Sequence, residues 1–126
     1  MYQGCEEIRV VIIEDESSWC TIISATLNSF GYTIAGIASD FEAAVRLLDT
    51  AEYDVVLLDV GLGGQNSGIE LGRMLHQKYN KPFVYITGNA ATHTTNQILQ
   101  TFPAAYLLKP IQPTALVTAV QGALRA

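Results

Sequence analysis

Between Ile8 and Ile13 the chain is dominated by β-branched residues with no polar alternation. That is the pattern of a strand buried on both faces, hence of a central strand in a parallel sheet. Trp19, Ile22, Ile23, Thr26, Leu27 and Phe30 then recur at helical spacing and stop at Gly31, a natural residue just past a helix C-terminus. Tyr32 to Ala38 reads as a second strand. Ser39-Asp40-Phe41-Glu42 has capping-box spacing ahead of Ala44, Leu47, Leu48 and Ala51 on one helical face. Asp54 to Leu58 repeats the buried-strand pattern, and Val60 to Asn66 is a glycine-rich loop. Ser67-Gly68-Ile69-Glu70 offers a second capping-box spacing before a third helix. Pro82 to Ile86 makes strand four, Ala90 to Phe102 a polar, uncharged helix, and Ala104 to Leu108 strand five. Pro113 opens a last helix carrying Leu116, Val117, Val120 and Leu124. Five βα units result, and an α/β doubly wound sheet follows from the alternation alone.

Length and charge narrow the picture. A chain of 126 residues that is 49% hydrophobic has the size of one domain and buries its core without disulfides or metals. The expectation is a single domain over residues 1–126 with no output domain, either stand-alone or cut from a larger protein. Net charge is -5 and no basic run occurs, which argues against direct nucleic-acid or anionic-membrane binding. The acids are unevenly spread. All twelve Asp and Glu lie between Glu6 and Glu70, and from Ala90 onward only Lys109 and Arg125 are charged. Cys5 and Cys20 lack metal-type spacing and read as free thiols, and no apolar stretch approaches the roughly 18 residues of a membrane span. Without a secretory segment at Met1 to Glu7 the expected compartment is the cytoplasm.

Candidate chemistry sits where the strands end. Asp15 follows strand one, Asp59 strand three, Thr87 strand four and Lys109 strand five. In an open α/β sheet these ends share one edge, so the four converge on one crevice. Singly, each is ordinary turn or cap chemistry; together they compose a phosphoryl-accepting site. The triplet Glu14-Asp15-Glu16 with Asp59 would crowd like charges there, which calls for a cation. All-oxygen donors without His or Cys favour Mg²⁺. Asp59 would be the nucleophile, Lys109 would clamp one transferring oxygen, and the Thr87 hydroxyl would donate to another.

Over essentially its whole length the chain resembles the receiver domain of two-component response regulators. The resemblance rests on the acidic pair Glu14 and Asp15, the acceptor Asp59, Thr87, Lys109-Pro110 and an aromatic switch residue at Tyr106. It implies a flavodoxin-like (βα)5 fold with strand order 2-1-3-4-5. It further implies Mg²⁺ bound by Asp15, Asp59 and the Gly61 backbone carbonyl, with Glu14 acting through a water. The donor would be a phosphohistidine on a sensor histidine kinase or a phosphotransfer protein, and the chain would be a signalling module rather than an enzyme with outside substrates. Tyr106 would turn inward as Thr87 moves toward the phosphate, passing the signal to a downstream protein that the sequence does not name.

Three positions depart from the family pattern. Glu14-Asp15 replaces the commoner Asp-Asp, the loop from Gly61 to Gly68 lacks a proline and is about one residue longer than usual, and Gly88 stands where a small residue such as alanine is common. The surface of helix four, strand five and helix five has few charges, so the chain is expected to be a monomer or a phosphorylation-dependent dimer held by uncharged contacts such as Thr92, Thr95 and Gln121.

Other classes fit less well. Gly63 to Gly68 matches half a P-loop, but Ile69 and Glu70 stand where Lys and Ser/Thr belong. A haloacid-dehalogenase-like phosphatase expects an acid two residues past Asp59, where Gly61 stands, and further acids beyond the lysine. A flavin carrier would place a phosphate against Glu14-Asp15-Glu16. A binding module not controlled by phosphorylation stays open as an alternative. His76 and His93 read as surface residues, and Trp19 as core, near enough to Asp15 to report metal binding.

Overall fold

The expected parallel sheet forms. In the computed structural model, which describes residues 7–64, 67–88 and 95–125, five strands lie in the order β2-β1-β3-β4-β5 and every neighbouring pair is parallel. The elements run β1 (Arg9–Ile13), α1 (Ser17–Ser29), β2 (Thr33–Ala38), α2 (Phe41–Thr50), β3 (Val55–Asp59), α3 (Ser67–Met74), β4 (Phe83–Thr87), α4 (Thr95–Leu99), β5 (Ala105–Leu108) and α5 (Pro113–Arg125). Their order makes the chain reverse direction beside β1, the topological switch that opens a crevice at the strands' C-terminal edge.

Side chains of each central strand alternate between two cores. Val10, Ile12, Val55, Leu57, Val84 and Ile86 pack with Ile23 and Leu27 of α1 and Leu116 and Val120 of α5. Val11, Ile13, Val56, Leu58, Phe83 and Tyr85 pack with Leu48 of α2 and Leu71 of α3. Both faces are covered, so every residue of β3 and β4 is buried and the runs need no polar alternation.

Helix ends show where local patterns mislead. Gly31 has φ 91, the left-handed value expected past the end of α1. The α2 cap lies one residue later than the Ser39 spacing suggests: Asp40 is extended and its carboxylate accepts the Ala43 N–H at 2.8 Å. An aspartate directly before the helix outcompetes the serine because its charged acceptor reaches the third helical amide. The second capping box also fails, since Ser67 is already helical and Glu70 pairs with Arg73 instead. Helix α3 continues into a single wide π turn (Leu75–Tyr79) and ends at left-handed Asn80. Of the helix expected over Ala90–Phe102, the described part is Thr95–Leu99; Phe102 has φ 57 and leaves the helix ahead of Pro103. Cys5, Thr92 and His93 lie outside the described residues, as do Gln65 and Asn66 of the glycine-rich loop.

Candidate functional site

The strand ends are stitched to one another by backbone hydrogen bonds. Val60 N–H donates to Ile86 O at 2.9 Å, Lys109 N–H to Thr87 O at 2.8 Å, and Glu14 N–H to Ala38 O at 3.0 Å. Residues leaving β1, β3, β4 and β5 are thereby brought to one crevice.

Asp59, the last residue of β3, is only 6% exposed, and Gly61 N–H donates to its Oδ1 at 2.9 Å, which fixes the side-chain rotamer. Glu14 is 1% exposed and accepts the Glu16 N–H on Oε2 at 3.1 Å. Asp15 is exposed and takes a longer bond, 3.4 Å, from Gly63 N–H. Thr87 is buried at the end of β4. The Lys109 side chain threads between them: its Nζ stands 2.9 Å from Glu14, 3.0 Å from Glu16 and 3.9 Å from Asp59. The Trp19 ring lies 5.5 Å from the same ammonium, a cation–π distance. A cis peptide joins Lys109 to Pro110.

One ammonium serves three acids, and the imbalance shows in their ionisation. Burial pushes the Glu14 carboxyl up to about 7; the nearby Lys109 ammonium opposes this and the Asp59 charge adds to it. Burial also raises Asp59 above the usual carboxylate range, although the Gly61 N–H works against it. Burial would lower the Lys109 pKa, but Glu14 and Glu16 outweigh it and hold the ammonium above its ordinary value.

The donor set suits a hard divalent cation. Glu14, Asp15 and Asp59 each present a carboxylate oxygen within 4.8 Å of the others. The buried Glu14 Oε1 has the ammonium nearby but accepts no properly aligned hydrogen bond. Surplus negative charge, oxygen-only donors and an under-satisfied buried acceptor are what Mg²⁺ would relieve.

The response regulator receiver domain model matches residues 10–121. This chain belongs to that family. Receiver domains serve as signalling modules, commonly bind Mg²⁺ at an acidic pocket, and work with kinases or phosphotransfer proteins and with output domains. The receiver domain of a modulated diguanylate cyclase from Desulfovibrio desulfuricans G20 is 27% identical with a TM-score of 0.85, each chain 95% covered. The N-terminal domain of a response regulator/sensory box/GGDEF three-domain protein from Carboxydothermus hydrogenoformans is 29% identical with a TM-score of 0.82, covering 93% of this chain and 94% of that one. A CheY-like receiver domain from Methanospirillum hungatei JF-1, 20% identical with a TM-score of 0.82 and 95% of each chain covered, shares the fold.

In this receiver domain Asp15, Asp59, Thr87 and Lys109 lie at one crevice, where the strand-end pattern expects them, with Glu14 and Gly61 beside them. Tyr106 does not join them. It sits on β5 opposite Tyr85, 38% exposed, beside a shallow groove of about 250 Å³ lined by Ile98, Leu99 and Pro103. Gly88 is not strictly required, because a Cβ there would meet the Lys109 side chain at an ordinary 3.6 Å. Sequence reasoning missed two contacts of Lys109. Glu16, seen only as part of an acidic triplet, holds the ammonium. Trp19 packs partly buried against the core, as expected, and its ring also lies against that ammonium. Its helix-one position one turn after the acidic pair was the available signal. Among the described residues no helix is long and apolar enough to cross a membrane.

Proposed function

We propose that the crevice accepts a phosphoryl group on Asp59 from the phosphohistidine of a sensor histidine kinase or phosphotransfer protein, with Mg²⁺ required. The observation that carries this reading is a buried carboxylate at the end of β3, its rotamer fixed by Gly61 and flanked by an acidic pair on one side and the Lys109 ammonium on the other. Asp15, Asp59 and the Gly61 carbonyl would hold the ion, with Glu14 acting through a water. Bound there, Mg²⁺ supplies positive charge that neutralises the carboxylates and the phosphoryl oxygens.

A carboxylate oxygen of Asp59 attacks phosphorus in line. The P–N bond of the donor breaks, and its electron pair stays on the imidazole. Lys109 balances charge on one phosphoryl oxygen, and the Thr87 hydroxyl donates to another. Because Lys109 N–H is bonded to Thr87 O, movement at either strand end is felt at the other. That coupling, with Tyr106 on the neighbouring strand as relay, is the route to the uncharged surface of α4, β5 and α5, where a downstream protein or a second copy would bind.

Intact mass after incubation with Mg²⁺ and a small acyl phosphate tests the reading. One added phosphoryl group is expected on the native chain and none on Asp59→Ala or with EDTA. No addition to the native chain, while Trp19 fluorescence still reports metal binding, would point instead to a binding module outside phosphorylation control.

Glu16 adds a restraint. It holds Lys109 nearer than Asp59 does, so it competes with an incoming phosphoryl group for the ammonium. Because Glu16 is largely exposed, the effect is modest: Glu16→Gln is expected to speed phosphoryl incorporation about two- to fivefold. Glu42→Gln makes the same charge change elsewhere, and equal acceleration by both would show a bulk-charge effect with no role for the Glu16 contact.

A further inference from the structure

On the face of the sheet that carries Thr87, two residues back along β4, Tyr85 occupies space that glycine alone leaves open. A Cβ at Gly72 of α3 would stand 2.1 Å from the Tyr85 hydroxyl oxygen and 2.9 Å from its ring carbon Cζ. Tyr85 is fully buried, and its hydroxyl lies 2.6 Å from Thr101 Oγ1, which is 1% exposed. Thr101 has one hydroxyl proton, and it goes to Ile98 O at 2.8 Å. The phenol is therefore the donor to Thr101, and the chain Tyr85 to Thr101 to Ile98 is closed and directional.

The position matters as much as the bond. Thr101 lies two residues past the end of α4, and the backbone turns away at left-handed Phe102. Among the described residues of α4, Ile98 alone lies in the core that α2 and α3 share with the sheet, whereas Leu99 and Phe102 are 58% and 66% exposed. Besides Ile98, the segment that follows α4 is tied to β4 by this polar chain and by the Ala104 N–H to Phe83 O hydrogen bond at 2.8 Å.

We propose that the Tyr85–Thr101 hydrogen bond, seated in the notch left by Gly72, pins the C-terminal end of α4 to β4 and keeps that end in place while the strand end at Thr87 responds to phosphorylation. The pin rests on the phosphoryl-acceptor reading for its role in signalling, though not for its existence. Tyr85 is a positioning residue: it touches neither donor nor acceptor, and acts on where α4 can turn. The output surface would then pivot about Thr101 instead of lifting as a unit.

Hydrogen–deuterium exchange on the full chain tests this. In the unmodified protein, Tyr85→Phe and Thr101→Val are each expected to speed exchange of amides 98–104 about tenfold while those of β1 and β3 keep native rates, and Thr101→Ser is expected to restore the native pattern. Exchange that rises equally in all segments, or does not change at 98–104, overturns the pin. The same samples are then treated with Mg²⁺ and acyl phosphate and their mass measured. Where the phosphoryl group adds, amides 98–104 should hold their rate in the native chain and change in Tyr85→Phe; a change of equal size in the native chain refutes the pivot. Absence of added mass would remove the phosphoryl reading, and with it the pivot, while the first comparison still decides the pin.

Discussion

Lys109→Met is expected to abolish phosphoryl incorporation at Asp59 and, separately, to destabilise the metal-free fold more at pH 8 than at pH 6. The first effect follows from losing the ammonium at the transferring oxygens, typically worth about 100-fold or more in rate. The second follows from Glu14. Its folded-state carboxyl is raised to about 7 from an ordinary 4.5, so its ionisation in the fold is unfavourable and stability falls as pH rises between those values. Lys109 moderates that loss. Without it the folded pKa climbs further and the loss continues above pH 7. At pH 6 Glu14 is largely protonated with or without its partner, and the variant is expected to resemble the native chain. At pH 8 the unpaired buried acid should cost at most about 3 kcal/mol, the lower range for breaking a buried ion pair, because the group can still take up a proton. Methionine keeps most of the apolar length of the lysine side chain, so packing contributes little. Denaturant titrations in EDTA at the two pH values measure the difference; an equal loss at both would mean that Glu14 is not what Lys109 stabilises.

Gly68→Ala should be strongly disruptive, because among the described glycines it is the one whose added Cβ would run into backbone atoms. A Cβ there would stand 2.4 Å from both Asp59 O and Val60 O and 2.7 Å from Val60 C. These are backbone atoms, and no rotamer change relieves the overlap. Either the first turn of α3 lifts from β3 or the Asp59–Val60 backbone gives way, which would move the acceptor carboxylate and the Gly61 N–H together. A stability loss of about 3 kcal/mol is expected, with phosphoryl incorporation slowed at least tenfold. Gly61→Ala makes a useful contrast, since its Cβ would meet only Asp59 Oδ1, at 3.7 Å. A Gly68→Ala protein with native melting temperature and native labelling rate would show that the approach of α3 to β3 is looser than these distances.

Much of this was readable from the chain because it depends on runs and ends. Buried parallel strands need long apolar stretches, and their C-terminal residues share an edge whatever the helices do; Asp15, Asp59, Thr87 and Lys109 were therefore accessible to pattern alone. What pattern missed depends on reach or on competition. Ser39 and Asp40 both make good caps, and only geometry chooses between them. Glu16 and Trp19 meet Lys109 through side-chain length across a long loop of sequence. Gly72 looks like a weak spot in a helix until Tyr85 and Thr101, from two other elements, are seen to fill and close the space beside it. His76 is exposed, as its surface reading expects, but its tilted contact with Phe102, ring centroids 4.7 Å apart, joins the π turn after α3 to the segment past α4 and has no signal in the pattern.

The hydrogen bond from Lys109 N–H to Thr87 O uses main-chain atoms that any residue except proline at position 109, and any residue at position 87, would supply. The separation of the two backbones that carry the hydroxyl and the ammonium is thus a dimension of the sheet, inherited by any sequence that keeps the two strands paired. Helix surfaces can diversify toward new partners without recalibrating the site, and a designer could graft a different output face onto this strand edge with its chemistry left intact.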